Sequence, residues 1–269
     1  SFGCSDLGSN TVTVTATDAS GNTTVETGTV TVVDLIAPAI TTVSSAVTTY
    51  LNGSGVATIS QSDVVATTTD NCTVAPTVSL SATSFSCSEV GSNTITITAT
   101  DGSGNSSTAT KNVVVMDTIS PSITAPSAVT LSLGAGGSVT LPGNTASASD
   151  NCGATTLTYS ETSFNCSDIG TTNVVVTATD ANGNDSEATI AVTVQDVTNP
   201  TLALVSSGIT LALDANGSTS LTTSQIVSSV SDNCSGVTVS VSPSSFGCSD
   251  LGSNTVTVTA TDASGNTTV

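Results

Sequence analysis

Threonines alternate with small apolar residues along several short stretches of the chain. In the first of them, Val12, Val14 and Ala16 are separated by threonines. Alternate side chains of a strand point to opposite faces, so this pattern predicts strands with one buried and one solvated face. β-Branched residues also favour strands. The same pattern predicts strands over Thr94–Thr100, Asn173–Thr179 and Thr255–Thr261.

Each of these strands runs into the same turn, in which Asp, Gly and Asn keep a fixed spacing. An Asp that caps a turn and a Gly that accepts a positive φ are typical of a tight reversal. The chain is therefore expected to return in an antiparallel last strand, predicted at Thr27–Val33, Ala109–Met116 and Ile190–Val194. The turns are Asp18–Asn22, Asp101–Asn105, Asp180–Asn184 and Asp262–Asn266.

The strand and turn belong to a repeat of about 80 residues. The cysteines of its Phe-x-Cys element are spaced by 83, 79 and 82 residues, and residues 1–25 are identical to residues 245–269. Such self-similarity indicates an array of like domains. We expect the chain to be a window on a longer, nearly exact array. The predicted boundaries give the back part of a domain at 1–36, domains at 37–119 and 120–198, and a domain without its last strand at 199–269.

Short strands separated by Gly- and Asn-rich turns predict an all-β fold of tandem Ig-like β-sandwiches, arranged head to tail as an elongated array. Within a domain, Ala46–Leu51 and Val56–Ser60 flank Asn52–Gly55 and are predicted to form a hairpin. A further strand is predicted at Thr210–Leu213. Helical periodicity is confined to Gln225–Ser229.

The charge of the chain limits its partners. The net charge is −19, Lys111 is the only basic residue, and histidine is absent. Such a chain is unsuited to nucleic acid, whose phosphates need Lys and Arg, and to an anionic membrane surface. Small cations are the expected partners. Without a histidine base nucleophilic catalysis is not expected, and carboxylates that recur in every repeat favour a structural role over glycoside cleavage. The chain is predicted not to be an enzyme.

Seven cysteines lie at fixed repeat positions. Pairing neighbours along the sequence predicts the disulfides Cys72–Cys87, Cys152–Cys166 and Cys234–Cys248, and leaves Cys4 for a partner in a preceding domain. Loops of about 15 residues closed in this way gain roughly 3 kcal/mol, and disulfides imply an oxidising, extracellular setting. The alternatives are buried free thiols or metal ligands, although zinc is disfavoured by the absence of histidine.

Fourteen of the 20 acidic residues recur at four repeat positions. They lie before the penultimate strand, at its end, after the last strand, and in an Asp-Asn-Cys element. In the order of these four positions they are Asp6, Glu89, Asp168 and Asp250; Asp18, Asp101, Asp180 and Asp262; Asp34, Asp117 and Asp196; and Asp70, Asp150 and Asp232.

Because the last two strands are antiparallel, the end of the penultimate strand lies at one pole of a domain, and its start and the end of the last strand lie at the other. Acids of one domain should therefore meet acids of the next, and carboxylate and amide oxygens suit Ca²⁺. The alternative is that each Asp only caps a turn or ends a strand. The predicted calcium sets are Asp6, Asp34, Asp101 and Asn105; Glu89, Asp117, Asp180 and Asn184; and Asp168, Asp196, Asp262 and Asn266, with Asp70, Asp150 and Asp232 as possible additions.

These elements in combination resemble the hyalin repeat (HYR) family. They are Asp-Asn-Cys, Phe-x-Cys-Ser-Asp-x-Gly, Thr-Ala-Thr-Asp-x-x-Gly-Asn, and Val-x-Asp with Pro four residues on. The resemblance covers the whole chain and implies Ig-like sandwiches of extracellular and cell-surface proteins with a role in adhesion, as in long bacterial adhesin arrays. The chain departs from animal hyalin repeats in its Thr and Ser content and its near-identical copies.

The resulting expectation is an extracellular fibre or cell-surface adhesin stalk whose partners are neighbouring repeats and divalent cations. A binding module that engages glycans or a protein remains the alternative. The fibre is either one long chain or an assembly of subunits, in which residues 26–34 could add a strand to a neighbouring chain.

Overall fold

The computed structural model describes residues 1–269. The fold is all-β, with 51% of residues in strands and 7% in helices, in Ig-like domains. The chain divides into two compact units, the first made of Ser1–Ile119 with Asn151–Gly153 and the second of Ser120–Asp150 with Ala154–Val269. The repeats are numbered by their boundaries in the sequence: repeat 1 is 1–36, repeat 2 is 37–119, repeat 3 is 120–198 and repeat 4 is 199–269.

The first unit contains ten strands, one short α-helix and two 3₁₀ turns, at Cys4–Asp6 and Cys87–Glu89. Repeat 1 contributes a hairpin of two ten-residue strands, paired from Gly8 with Val32 to Thr17 with Thr23. The elements are β1 Gly8–Thr17, β2 Thr23–Val32, β3 Ala39–Thr42, β4 Val47–Tyr50, β5 Val56–Thr58, α1 Gln61–Val64, β6 Val65–Thr69, β7 Thr77–Leu80, β8 Ser84–Ser86, β9 Gly91–Thr100 and β10 Ser106–Met116.

Repeat 2 forms a sandwich. One layer is a four-stranded sheet of order β4-β10-β9-β7, in which β4 runs parallel to β10 and the other neighbours are antiparallel. The strand pairs β3–β6 and β5–β8 form the rest. The alternation seen in the sequence aims one face of β9 and β10 into the core, where Phe85, Ile95, Ile97, Val113 and Val115 are buried.

The second unit holds repeats 3 and 4. Their elements are β11 Ser122–Thr124, β12 Ala128–Ser132, β13 Ser138–Thr140, β14 Ser147–Ser149, β15 Thr155–Tyr159, β16 Ser163–Asn165, β17 Gly170–Asp180, β18 Asp185–Gln195, β19 Thr201–Leu204, β20 Ser218–Ser220, α2 Thr223–Ile226, β21 Val227–Ser231, β22 Thr238–Ser242, β23 Ser245–Gly247, β24 Thr257–Thr261 and β25 Thr267–Thr268.

Repeat 3 has the plan of repeat 2, with a sheet of order β12-β18-β17-β15 and β12 parallel to β18. Repeat 4 has a three-stranded sheet of order β22-β24-β25, in which β25 has only two residues. The strand predicted at Thr210–Leu213 is absent there. The equivalent strands β4 and β12 each pair with the long last strand of their own repeat, and repeat 4 offers that segment no such partner.

The predicted hairpin around Asn52–Gly55 is wrong. The turn itself forms, because the amide of Asn52 donates to the carbonyl of Val56 and that of Gly55 donates to Asn52. However, β4 pairs with β10 whereas β5 pairs with β8. The turn therefore carries the chain from one layer of the sandwich to the other.

Two helices of four residues each precede β6 and β21. The second overlaps the stretch with helical periodicity, but the first falls where the sequence predicted no helix. Its start is stabilised by the carboxylate of Asp63, which accepts hydrogen bonds from the amide and hydroxyl of Ser60. No helix of this chain is both long and apolar enough to cross a membrane.

Candidate metal sites at the repeat junctions

The disulfides join successive repeats instead of closing short loops. The structure pairs Cys4 with Cys72, Cys87 with Cys152 and Cys166 with Cys234, at sequence separations of 68, 65 and 68 residues. The predicted pairs Cys72–Cys87, Cys152–Cys166 and Cys234–Cys248 are therefore wrong. The unpaired cysteine is Cys248, which is exposed, and not Cys4.

The length of one strand explains the correction. Within repeat 2, Cys87 lies just before the start of β9, whereas Cys72 lies near its end, where the amide of Gly102 donates to the hydroxyl of Thr73. The ten residues of β9 span about 30 Å at a rise of roughly 3.3 Å each. A disulfide needs Cα atoms within about 7 Å of each other. The Phe-x-Cys cysteine therefore cannot reach the Asp-Asn-Cys cysteine of its own repeat, and it is bonded to that of the following repeat.

A glycine makes room for the Cys87–Cys152 and Cys166–Cys234 contacts. In the second unit, Gly137 has φ +68°, and a Cβ built on it would lie 2.5 Å from the carbonyl O of Asn233 and 3.0 Å from Sγ of Cys166. The Asn233 side chain donates to the carbonyl of Gly134 at 3.2 Å. The asparagine of the Asp-Asn-Cys element thus contacts the Gly134–Gly137 turn of the preceding repeat. The sequence pattern alone indicates no role for it.

Gly137→Ala should destabilise the junction. The positive φ alone costs a non-glycine residue about 1–2 kcal/mol, and the added methyl group would also push Asn233 and Cys166 apart. We expect slower formation of the Cys166–Cys234 bond and a lower unfolding temperature, followed by free-thiol titration and calorimetry. Gly136→Ala is the matched control, because its Cβ would meet nothing within 4 Å. Equal unfolding temperatures and equal rates of disulfide formation in the two variants would contradict a close contact of Gly137 with Asn233 and Cys166.

Three carboxylates converge beside the disulfide in the first unit. Oxygens of Asp34, Asp70 and Asp101 all lie within 4.8 Å of one another. Asp34 follows β2, Asp70 follows β6 and Asp101 follows β9. The strand directions predicted that Asp34 and Asp101 would meet, and the position of β6 adds Asp70. The cluster is thus built from one acid of repeat 1 and two of repeat 2.

Hydrogen bonds hold these side chains in place from one side. Oδ1 of Asp34 accepts from the side chain of Asn71 at 3.1 Å, and Oδ2 of Asp70 accepts from the amides of Cys72 and Thr73. The Asn105 side chain donates both to Asp101 and to the main-chain carbonyl of Asp34. Asn105 therefore links the two repeats and orients Asp101 through its amide nitrogen.

The remaining oxygens have no partner within the protein. Oδ2 of Asp34 and Oδ1 of Asp70 are buried and accept no hydrogen bond. Asp34 is only 8% exposed. Lys111, the one basic residue, donates instead to the carbonyls of Val43 and Ser45. Buried carboxylates require a counter-charge, and this chain has no side chain to supply it.

The second unit repeats the arrangement. Oxygens of Asp196, Asp232 and Asp262 lie within 4.8 Å of one another, and Oδ2 of Asp196 and Oδ1 of Asp232 are buried without a partner. Asn233 donates to Asp196, and Asn266 donates to Asp262 and to the main-chain carbonyl of Asp196. Asp196 is 6% exposed. The same unsatisfied geometry thus occurs in both units.

The turn acids are held in the ionised form. Burial is the largest single influence on Asp262 and raises its pKa, but hydrogen bonds from the Asn266 side chain and from the amides of Asn266, Ser264 and Gly265 together outweigh it and lower the pKa. The same causes lower the pKa of Asp101 and Asp180. Each cluster therefore presents at least one carboxylate that stays charged in mildly acidic solution.

Three of the proposed ligands lie elsewhere. The carboxylates of Asp6, Glu89 and Asp168 accept the amide three residues before them, at 2.7–2.8 Å, and cap short 3₁₀ turns. None of the three belongs to the groups of acids whose oxygens lie within 4.8 Å of one another, so their part in binding a cation stays a prediction.

The acids of the middle set are divided between the units. In the first, Asp117 is buried and accepts from the side chain of Asn151 and the amide of Ile119. In the second, Asp180 is buried and accepts from Asn184, and Asp150 follows β14. Their local bonding matches that of their counterparts in the other repeats.

No family model and no curated protein matches this chain. Among solved structures, it is similar to protocadherin gamma B2 extracellular cadherin domains 1–5, with 15% identity, a TM-score of 0.35, and coverage of 98% of this chain and 64% of that one. Human CDH23 EC21–23 matches with 17% identity, a TM-score of 0.32, and coverage of 66% and 72%. Likeness at this level carries no functional argument.

Proposed function

We propose that the chain is a structural segment of an extracellular fibre or adhesin stalk, in which Ca²⁺ ions stiffen the junctions between disulfide-linked Ig-like repeats. The observation that carries the proposal is the pair of clusters with buried, unpartnered carboxylate oxygens. The disulfides support an oxidising, extracellular location. The resemblance of the repeat elements to the HYR family supports the same role.

The donor set favours calcium. Each cluster consists of three carboxylates, two of which have an unpartnered oxygen, and contains no histidine or cysteine ligand. Ca²⁺ takes six to eight hard oxygen ligands in flexible geometry, whereas Mg²⁺ demands a near-ideal octahedron and dehydrates reluctantly. Asp34, Asp70 and Asp101 would hold one ion, and the remaining coordination would come from water and main-chain carbonyls.

The ion would act mechanically. Without it, three carboxylates within 4.8 Å repel one another. Because the acids of a cluster come from two successive repeats, their repulsion would loosen the junction, and a bound cation would draw the repeats together. The disulfide limits how far they can separate, and the ion would restrict how far they can bend. No catalytic group is needed for such a role.

Asp232→Asn should remove one calcium site. In the wild type, the Cys234 amide donates a hydrogen bond to Asp232 at 3.0 Å. The side-chain oxygen of the new asparagine can still accept this bond, but the negative charge of the ligand is lost. In calorimetric titration with Ca²⁺, we expect the variant to bind at least one ion fewer than the wild type. Asp214→Asn is the matched control, because Asp214 is an exposed turn acid of the same repeat. Unchanged binding in Asp232→Asn would overturn the assignment.

A further inference from the structure

Beside each metal cluster, one of the cluster acids lies two residues before a disulfide cysteine. In the second unit, the segment 232–234 begins with the cluster acid Asp232 and ends with Cys234, which is bonded to Cys166. Asp232 and Cys234 belong to repeat 4, whereas Cys166 and the cluster acid Asp196 belong to repeat 3. The covalent bond and the cluster therefore cross the same junction side by side.

Hydrogen bonds connect the disulfide to the carboxylates. The amide of Cys234 donates to Oδ2 of Asp232 at 3.0 Å, which fixes this carboxylate relative to the cysteine. Between the two, the side chain of Asn233 donates to Oδ1 of Asp196 at 3.1 Å. Sγ of Cys166 lies 3.5 Å from the carbonyl O of Asn233. The segment 232–234 therefore joins the disulfide to carboxylates of both repeats.

The oxygens left for a cation belong to the carboxylates that this segment holds. Oδ2 of Asp196 and Oδ1 of Asp232 are buried without a partner, and Asp196 is 6% exposed. The other oxygen of Asp196 accepts from Asn233, and that of Asp232 accepts from Cys234. The segment that the disulfide anchors thus helps to set the positions of the free oxygens.

The first unit has the same connection. Oδ2 of Asp70 accepts from the amide of Cys72 at 2.9 Å, and Cys72 is bonded to Cys4. The side chain of Asn71 donates to Oδ1 of Asp34 at 3.1 Å. The free oxygens are again Oδ2 of Asp34 and Oδ1 of Asp70. An acid, an asparagine and a cysteine in consecutive positions therefore make this connection twice.

Preorganisation couples the two links between the repeats. An ion that binds repeats already held together orders less of the chain than an ion that must first bring them together. Without the disulfide, the segment 232–234 keeps only non-covalent contacts with repeat 3, so more of the ordering cost falls on ion binding. Linkage is reciprocal, so the bound ion favours the disulfide over two thiols by the same factor.

We propose that the junction disulfide and the adjoining calcium site form one redox-sensitive switch. Reduction of the disulfide weakens calcium binding at its cluster about ten-fold or more, and bound calcium protects the disulfide from reduction by the same factor. This inference rests on the proposed function, because it requires calcium at the cluster. Cys166 and Cys234 are half-buried, which leaves them within reach of a small dithiol. The junction is fully locked only where the medium is both oxidising and rich in calcium.

The redox step is balanced with a dithiol as the reductant. A thiolate of the dithiol attacks one sulfur of the Cys166–Cys234 bond, this bond breaks, and the other cysteine leaves as a thiolate and takes up a proton. The second thiol of the reductant then displaces the first cysteine, and the dithiol becomes a disulfide. Two electrons and two protons pass from the dithiol to the protein, and calcium takes no part in the transfer.

The test is reduction of the purified chain in buffers with graded ratios of reduced to oxidised dithiothreitol, in excess calcium and in excess chelator. Alkylation and peptide mapping give the reduced fraction of each disulfide. We expect calcium to raise the ratio needed for half-reduction of Cys166–Cys234 about ten-fold or more, which for a two-electron couple is about 30 mV.

The two clusters serve as controls for each other. Asp232→Asn should abolish the calcium effect on Cys166–Cys234 and keep that on Cys4–Cys72, whereas Asp70→Asn should do the reverse. A general stabilisation of the fold by calcium would not separate the two disulfides in this way.

The reverse coupling is measured by calorimetric titration of calcium. In Cys166→Ser/Cys234→Ser, we expect one site to bind about ten-fold or more weakly than in the wild type, by the factor found in the reduction experiment. Cys248→Ser is the matched control, because Cys248 has no disulfide. Circular dichroism checks the fold of the double variant, and the reduction experiment does not depend on that variant.

The outcomes separate this inference from the proposed function. Equal calcium affinity in the wild type and in a folded Cys166→Ser/Cys234→Ser would overturn the switch and leave the calcium sites standing. A half-reduction ratio that calcium does not move, or moves equally in Asp232→Asn, would also overturn it. Absence of calcium binding to the wild type would overturn both.

Discussion

Chelation of calcium is expected to lower the unfolding temperature of this protein by roughly 10–20 °C. At a free calcium concentration of 100 times the dissociation constant, one site stabilises the folded state by about 2.7 kcal/mol. In domains of 60–100 residues, each kcal/mol shifts the midpoint by about 4–8 °C. The effect has this sign because the ion binds a cluster that exists only when two repeats are folded and in contact.

The measurement is differential scanning calorimetry in excess calcium and in excess chelator. Magnesium at the same concentration should restore less of the stability, since it does not tolerate an irregular oxygen cage. The double variant Asp70→Asn/Asp232→Asn should lose most of the response, and Asp214→Asn should keep it. A midpoint that is the same with calcium and with chelator would contradict the stabilising role of the ion.

Removal of an inter-repeat disulfide is expected to cost about 4 kcal/mol, the chain-entropy value for a loop of this size. The Cys166–Cys234 bond closes a separation of 68 residues, so its loss frees much more of the unfolded chain than loss of a 15-residue loop would. We therefore expect Cys166→Ser/Cys234→Ser to unfold at a clearly lower temperature and at lower denaturant concentration.

Cys248→Ser is the matched control for stability, because Cys248 has no disulfide in the structure. Peptide mapping of the native protein supplies a second readout and should recover Cys166 joined to Cys234. Recovery of Cys152 joined to Cys166, or a double variant as stable as Cys248→Ser, would contradict the pairing across repeats.

The strands were predictable where alternation is long and uninterrupted. β9 shows it, because its buried positions Ile95, Ile97 and Ala99 are separated by threonines. The Asn52–Gly55 turn was equally visible, but a turn signal does not say whether its flanking strands share a sheet. That choice is made by packing between segments far apart in the sequence.

The junction was predictable in part for a related reason. Antiparallel strand directions were enough to bring Asp34 and Asp101 together. The disulfides were misassigned because closeness in sequence was used, although β9 holds Cys72 and Cys87 at opposite poles. Strand direction puts each Phe-x-Cys cysteine at the pole that faces the next repeat, where it bonds to the cysteine of Asp-Asn-Cys.

Asp6 and Asn71 show what strand direction leaves out. Asp6 lies at the expected pole, but its carboxylate caps the 3₁₀ turn that begins at Cys4. Asn71 lies in a short motif whose sequence indicates no role for it, yet its side chain donates to Asp34. Both outcomes depend on hydrogen bonds within a few residues, which the residue types permit but do not dictate.

A divalent cation at each cluster would be visible in an anomalous difference map from crystals of the protein grown in calcium. We expect a calcium peak between the carboxylates of Asp196, Asp232 and Asp262, and another between those of Asp34, Asp70 and Asp101. Well-ordered carboxylates with no anomalous peak at either cluster would contradict it.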